Sequence, residues 1–384
     1  MSIETAVDAV EIDELIAAAL RKEQLSWPNA WSRREQITQV LARISYHGVA
    51  GLLATDKQIL ENWPFTIRQQ LRDRAIASAM WELRHKALLA TLFTTLAQAQ
   101  VIAVLVKGSA VAYDLYRVPA ARSRGDTDLW IAESEVRTTR LILETLGYRR
   151  QAYGRVEDDL VFQETWSLDF QGARHEIDLH WQLLNAPALT GLLQFDACAA
   201  NSRPLPSLSP HARTLSRPFI LLHACLHRAM HISSPYIVDD KFYYGGDRLI
   251  WLYDIHLLAS ALTNNDWREL ATESTNKGIA RVTLQGLRLA NHWLGTAIPF
   301  EVEEELARAR LEPASTYLLD RKQIGRAWQD LATMSGRRKF RYLRTRVWPP
   351  ENFMRTKYPH LARMPLPVLH AQRLIDFVRR RPGT

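Results

Sequence analysis

Apolar positions recur every three or four residues through the first hundred, in EIDELIAAAL, in ITQVLARISYHGVAGLLA and through IASAMWELRHKALLATLFTTLAQ. That spacing lines one stripe of a helix, so residues 1–100 are expected to be helical. Pro64 punctuates these segments, and Gln98 to Gln100 close the last of them. At 101 the period changes. VIAVLV (101–106) is a short, continuous, β-branched run bounded by Gly108, the pattern of a buried strand. SAVAYDLY (109–116) returns to helical spacing, with Ser109 placed to act as its N-cap. TDLWIA (127–132) predicts a second strand, and SEVRTTRLILETLG a helix opened by Ser134 and stopped by Gly147. YRRQAYGRV, DLVFQETWSLDF and ARHEIDLHWQLL predict a β-meander.

The expectation is therefore an α+β chain. A strand-bearing block at 101–201 follows the helical region, and the Pro/Ser-rich SRPLPSLSPHARTLSRP (202–218) is expected to link it to a second helical region, 219–384. There is no internal repeat.

Composition narrows the class. With 384 residues, 47% hydrophobic and 23% charged, the chain can bury a sizeable core and is not a disordered polymer. No run of 18 apolar residues occurs, so no membrane insertion is expected. MSIETAVDAVEIDELIAAAL carries acids where a secretion signal would carry lysines. Cys198 and Cys225 are too few for a disulfide framework, and a reduced, cytoplasmic protein is expected. The net charge of +8 is concentrated at one end: from Gly336 to Thr384 there are 13 Lys/Arg and 2 Asp/Glu. Such a tail suits nucleic acid, an acidic membrane surface or a phosphorylated substrate, or else a solvated helical face packed around Trp348, Phe353 and Tyr358.

The candidate chemistry lies in VKGSAVAYDLYRVPAARSRGDTDLW (106–130). Asp126 and Asp128, two apart on a strand, point to one face. Paired carboxylates repel unless a cation separates them, and hard divalent ions take such ligands together with phosphate oxygens. Gly108 and Ser109 stand where a strand gives way to a helix N-terminus, whose free N–H groups favour a phosphate. The Walker pattern is absent, so this would be a different phosphate device. A third carboxylate, Asp178, sits in HEIDLHW, where Glu176 and His180 share its face. The two histidines of HEIDLH are five apart on a strand, so this is not the zinc-protease motif. The order of turn, carboxylate pair and third carboxylate fits two-metal nucleotidyl transfer.

These residues resemble the polymerase-β-like nucleotidyltransferase superfamily, and within it the bacterial family known only as uncharacterised nucleotidyltransferases. The resemblance rests on Lys107-Gly108-Ser109, on Arg122 to Leu129 as R-x-x-G-D-x-D-L, and on Asp178 to Trp181 as D-x-H-W. It continues in His227 and His231, in Arg248, Trp251 and Asp254, and in the basic PPENFMRTKYP, and so spans most of 80–384. Thr127 departs from the pattern, which has an aliphatic residue there. The resemblance implies a nucleotidyltransferase-type mixed sheet. It also implies that Asp126 and Asp128 bind two metal ions, Mg²⁺ or Mn²⁺, that Asp178 completes the activating site, and that Gly108 and Ser109 hold the β- and γ-phosphates. Lys107 and Arg122 would contact phosphate or acceptor. The substrate would be an NTP, ATP foremost, and the acceptor a small molecule, a protein side chain or an RNA end.

Two other readings stand beside this one: a catalytically silent nucleotide-binding module, and a nucleic-acid or membrane-surface binder using the basic tail. His223, His227 and His231 recur every four residues on one predicted helix, but no acid or cysteine accompanies them at ligand spacing. Trp251 and Asp254 suit packing and a buried hydrogen bond. Asp239, Asp240 and the Gly245-Gly246 pair mark a loop that could border a cleft.

Overall fold

The computed structural model describes residues 8–56, 58, 60–151, 162–232, 236–238, 241–243, 245–310, 312–319, 323–361 and 363–379. Four helices come first: α1 (Ala9–Leu20), α2 (Arg34–His47), α3 (Ala50–Ala54) and the long α4 (Phe65–Gln98). Asp8 caps α1 by accepting from the Val10 amide. α4 begins directly after Pro64, whose φ of −51° and missing N–H cost nothing at a helix entry.

The sheet then builds from β1 (Ala103–Val106), β2 (Asp126–Ile131), β3 (Arg149–Arg150), β4 (Gln163–Phe170) and β5 (Ala173–His180). Helix α5 (Lys107–Leu115) joins β1 to β2, and α6 (Val136–Thr145) follows β2. After α7 (Phe195–Ala200), the short strands β6 (Arg203–Pro204) and β7 (Arg213–Thr214) complete a seven-stranded mixed sheet in the order β3-β4-β5-β2-β1-β7-β6. The segment 202–218, expected to be a linker, thus carries two strands, and β7 runs parallel to β1. Its Leu205, Leu208 and Leu215 are buried, and apolar side chains bury most cheaply against an existing sheet edge.

Among the described residues that follow, the elements are helices apart from a small hairpin, β8 (Tyr236–Val238) with β9 (Lys241–Tyr243). The helices are α8 (Arg217–Ile232), α9 (Leu249–Ser260), α10 (Asn264–Asn276), α11 (Ala280–Leu294), α12 (Phe300–Arg308) and α13 (Pro313–Leu319). The last four are α14 (Gln323–Thr333), α15 (Gly336–Val347), α16 (Glu351–Lys357) and α17 (Leu366–Arg379). One continuous apolar core runs from Ile12 on α1 to Leu318 on α13, taking in both faces of the sheet. Met354, Tyr358 and Leu369 form a separate small core in the basic tail. There Trp348 stacks on His370 at 3.9 Å, while Phe340 is exposed. No described helix is long and apolar enough to cross a membrane.

Two local expectations are corrected. Ser109 does not cap α5: the helix opens two residues earlier, at Lys107, with Val106 as the N-cap, and Lys107 itself has φ 53°. Ser134 does not cap α6 either. It lies inside a 3₁₀ turn, Glu133–Glu135, and α6 starts at Val136. Gly147 ends that helix as expected, at φ 87°.

Candidate active site

Strand register assembles the acids. β2 and β5 run parallel, with Asp126 opposite Glu176, Asp128 opposite Asp178 and Trp130 opposite His180. Period-2 alternation then puts Asp126, Asp128, Asp178 and His180 on one face. β1 lies antiparallel on the other side of β2, with Val106 opposite Asp128, so the chain leaves β1 as Lys107-Gly108-Ser109 beside the acids. β4 supplies a neighbour from the far side: Thr165, opposite Asp178, donates its hydroxyl to Asp178 Oδ1 at 2.6 Å.

Asp128 is the centre of the group. It is buried, accepts from the Lys107 ammonium, and lies 2.8 Å from His180 Nε2. Burial alone would raise its carboxyl; Lys107 and His180 override this and hold it well below the usual carboxylate range. Asp126 stays open to solvent at the strand's start. Even so, loss of bulk water around its carboxyl, and then the Asp128 charge, push it up to about 6. Asp178 rises to about 6 as well, through burial and then Asp128 and Asp126, with the Thr165 hydrogen bond opposing. Burial works against the Lys107 ammonium, but Asp128, Asp178 and Asp126 together keep it above its ordinary value.

Two acids raised and one lowered around a single ammonium describe a site with more negative charge than its one lysine balances. A divalent cation would relieve that excess. Among the described residues, the one group of three or more potential metal donors is Asp128, Asp178 and His180, whose ligand atoms lie within 4.8 Å of one another. Carboxylate oxygens with one imidazole nitrogen form a donor set that fits such a cation.

The turn is backed by a second cation. Arg122 follows a short 3₁₀ turn, and its guanidinium grips Asp254 of α9, Nη2 to Oδ2 at 2.7 Å and Nε to Oδ2 at 3.1 Å. The Tyr116 hydroxyl donates to the same carboxylate at 2.7 Å. Arg122 lies against the bare Cα of Gly108, and a small hollow opens between α5, α8 and α9, walled by Lys107, Gly108, Arg122, His227 and Trp251. Asp254 is therefore the buried hydrogen-bonding residue expected from its helical position.

Of the three regularly spaced histidines, His227 and His231 meet Nε2 to Nε2 at 2.9 Å, and His231 stacks on Trp251. Burial and then the nearby Lys107 charge lower His223 to about 3 and His231 to about 4. Asp239 and Asp240 lie outside the described residues.

Ser109 is buried, with its hydroxyl 3.0 Å from Thr127 Oγ1 and 3.3 Å from the Asp126 carbonyl. The structure also draws in His180 and Thr165, which were not candidates from the sequence. Alternation had already put His180 on the Asp178 face, which was its signal. Thr165 had none, because β4 had to be registered against β5 before it could be found.

No curated protein matches the chain. Residues 33–295 match the family described as uncharacterised nucleotidyltransferase, a stretch that runs from α2 through the whole sheet to α11. The chain belongs to that family, and it is a nucleotidyltransferase, an enzyme that transfers phosphorus-containing groups.

Proposed function

We propose that this nucleotidyltransferase moves an NMP unit from an NTP, ATP foremost, to an acceptor hydroxyl on a small molecule, a protein or an RNA end, in the cytoplasm. Asp126, Asp128 and Asp178 are its metal ligands, and Lys107, Gly108, Ser109 and Arg122 its nucleotide-contacting residues. The observation that carries this reading is the register of Asp128 beside Asp178, with Lys107-Gly108-Ser109 leaving the adjacent strand. Mg²⁺ or Mn²⁺ held by the aspartates would neutralise triphosphate charge and lower the pKa of the attacking hydroxyl.

The protein's own residues do the rest. The Gly108 and Ser109 amides, at the start of α5, donate to the phosphate tail. Lys107, already above its ordinary pKa, stays charged and can follow the leaving pyrophosphate. Arg122, anchored by Asp254, keeps the turn from collapsing. Asp178, oriented by Thr165, faces the acceptor side. The working unit is 101–201 together with β6 and β7 of the segment 202–218, between helical regions 1–100 and 219–384.

The test is transfer of label from each α-³²P-NTP to a cell extract with Mg²⁺ or Mn²⁺, beside Asp126→Asn/Asp128→Asn. Label on one acceptor class, absent with the double variant, supports the proposal and identifies the class. Metal-dependent NTP binding without transfer would support a silent nucleotide-binding module instead. Salt-sensitive binding to polyanions that disappears on truncation at Gly336, with no NTP effect, would support the basic-tail binder.

A further inference from the structure

Ser109 is the inner end of a buried hydrogen-bond chain that crosses behind the sheet. Thr127 Oγ1, 3.0 Å from the Ser109 hydroxyl, lies 2.6 Å from His85 Nε2 on α4. His85 Nδ1 in turn lies 3.2 Å from His175 Nδ1 on β5. All four side chains are buried, none more than 2% exposed. Trp81 lies flat over both rings, with centroids at 4.3 and 5.3 Å, and its Nε1–H is tied to the Arg174 carbonyl at 2.9 Å. The rings are thus held in plane.

The chain has a direction. Both imidazoles are neutral: burial, then the Arg124 charge and His175, lower His85 to about 2, while burial and then Arg84 lower His175. A neutral imidazole has one donor and one acceptor nitrogen, so only two arrangements are self-consistent. If protons pointed from Ser109 outwards, His175 would accept at Nδ1 and carry its hydrogen on Nε2. Among the described residues that nitrogen is buried without a partner, and orphaned N–H groups are rarer than under-used acceptors. In the opposite direction His175 Nδ1–H donates to His85, His85 Nε2–H to Thr127, and the Thr127 hydroxyl to Ser109. Only an imidazole lone pair is then left bare.

Ser109 therefore accepts from behind, and its own proton must go elsewhere. The available carbonyl of Asp126, at 3.3 Å, is long for an O–H···O bond. A phosphate oxygen, being charged, would bind that proton more strongly. We propose that His175, His85 and Thr127 form a positioning relay that sets Ser109 as a hydrogen-bond donor to the phosphate tail of the nucleotide. The identity of the anion rests on the nucleotidyl-transfer reading; the direction of the chain does not. Thr127, the departure from the family pattern, gains a role: an aliphatic side chain there would leave both Ser109 and His85 without their shared partner.

Two measurements on the full-length protein test the relay. In ¹⁵N-histidine spectra, assigned by signal loss in His85→Gln and His175→Gln, His85 should be the Nε2–H tautomer and His175 the Nδ1–H tautomer; the reverse pair would overturn the proposal. Separately, Thr127→Val removes the hydroxyl and keeps the shape. Its Kd for α,β-methylene-ATP should rise about tenfold, equivalent to about 1.4 kcal/mol. The loss should appear in KM more than in kcat, and Thr127→Ser should restore it. Wild-type binding with an unchanged Kd in Thr127→Val sinks the relay alone. A wild type that binds no nucleotide sinks the transfer reading, and the phosphate role of Ser109 falls with it.

Discussion

Arg122 lies so close to Gly108 that a Cβ on the glycine would stand 2.7 Å from the guanidinium carbon. The same guanidinium is held in a fork by Asp254, on a helix 132 positions away in sequence. The candidate phosphate turn and the C-terminal helices are therefore one mechanical unit, with a glycine required for close approach rather than for any unusual φ.

Gly108→Ala should displace Arg122 or the turn, costing about 1–3 kcal/mol of stability together with nucleotide affinity. Asp254→Asn removes the charge facing a buried guanidinium, for which about 3–5 kcal/mol is expected. Arg122→Lys cannot restore the two-point grip. Urea midpoints for the three variants check this, and near-wild-type stability of Asp254→Asn would show that the clamp matters little.

The two members of the acid pair should differ in stability, though the proposed function requires both for transfer. Asp128→Asn strips Lys107 of its direct carboxylate partner, and a loss of about 1–3 kcal/mol should follow. Asp126→Asn removes a repelling charge at an open position and should be neutral or stabilising by under about 1 kcal/mol, once solvent screening is allowed for. Melting curves without metal, beside the label-transfer assay, separate the two effects. Equal destabilisation would contradict the assignment of Asp128 as the centre.

Metal should stabilise the protein only through those acids. With Mn²⁺ at about a hundred times its Kd, linkage adds about 2.7 kcal/mol to unfolding. The shift should persist in a control such as Arg308→Gln, whose pairing with Glu304 is on the surface, and vanish in Asp126→Asn/Asp128→Asn. A full shift in the double variant places the metal elsewhere.

Acid should unfold the protein from about pH 6.5 downwards. His85, His223 and His231 have folded pKa values of about 2, 3 and 4 against 6.5 for the free side chain. Between those limits the unfolded chain binds more protons, so stability rises with pH and is lost as pH falls through 6.5. Each histidine contributes a slope of about 1.4 kcal/mol per pH unit. Asp126 and Asp178, raised from 3.8 to about 6, oppose this between about pH 4 and 6 by taking up protons in the folded state. His227, which burial also holds well below its ordinary value, adds to the histidine side, so the net slope keeps its sign. His223→Gln should flatten the profile by one histidine's share, read from urea midpoints at pH 7, 6 and 5. An unchanged slope would mean that His223 is protonated in the folded state.

Much of the site was legible before folding because its signals are local. Alternation alone puts Asp126 with Asp128, and Asp178 with His180, since a strand's side-chain period does not depend on its neighbours. The Lys107-Gly108-Ser109 turn follows from the end of a β-branched run. The cap at Ser109 is not formed because the helix already begins at Lys107, whose φ of 53°, a strained backbone choice of about 1–2 kcal/mol, no local pattern foretells.

The sequence by itself determined most helices, the strands that carry the acids and the face each acid takes, all consequences of spacing along one backbone. Only the tertiary structure decided that β5 lies beside β2, that the segment after 202 closes the sheet, and that Arg122 turns to Asp254. It alone also brought His85 of the first helical region under Ser109. Those pairings join residues from tens to more than a hundred positions apart. They are chosen by which buried donors, acceptors and charges can all be satisfied at once, a condition that no local pattern encodes.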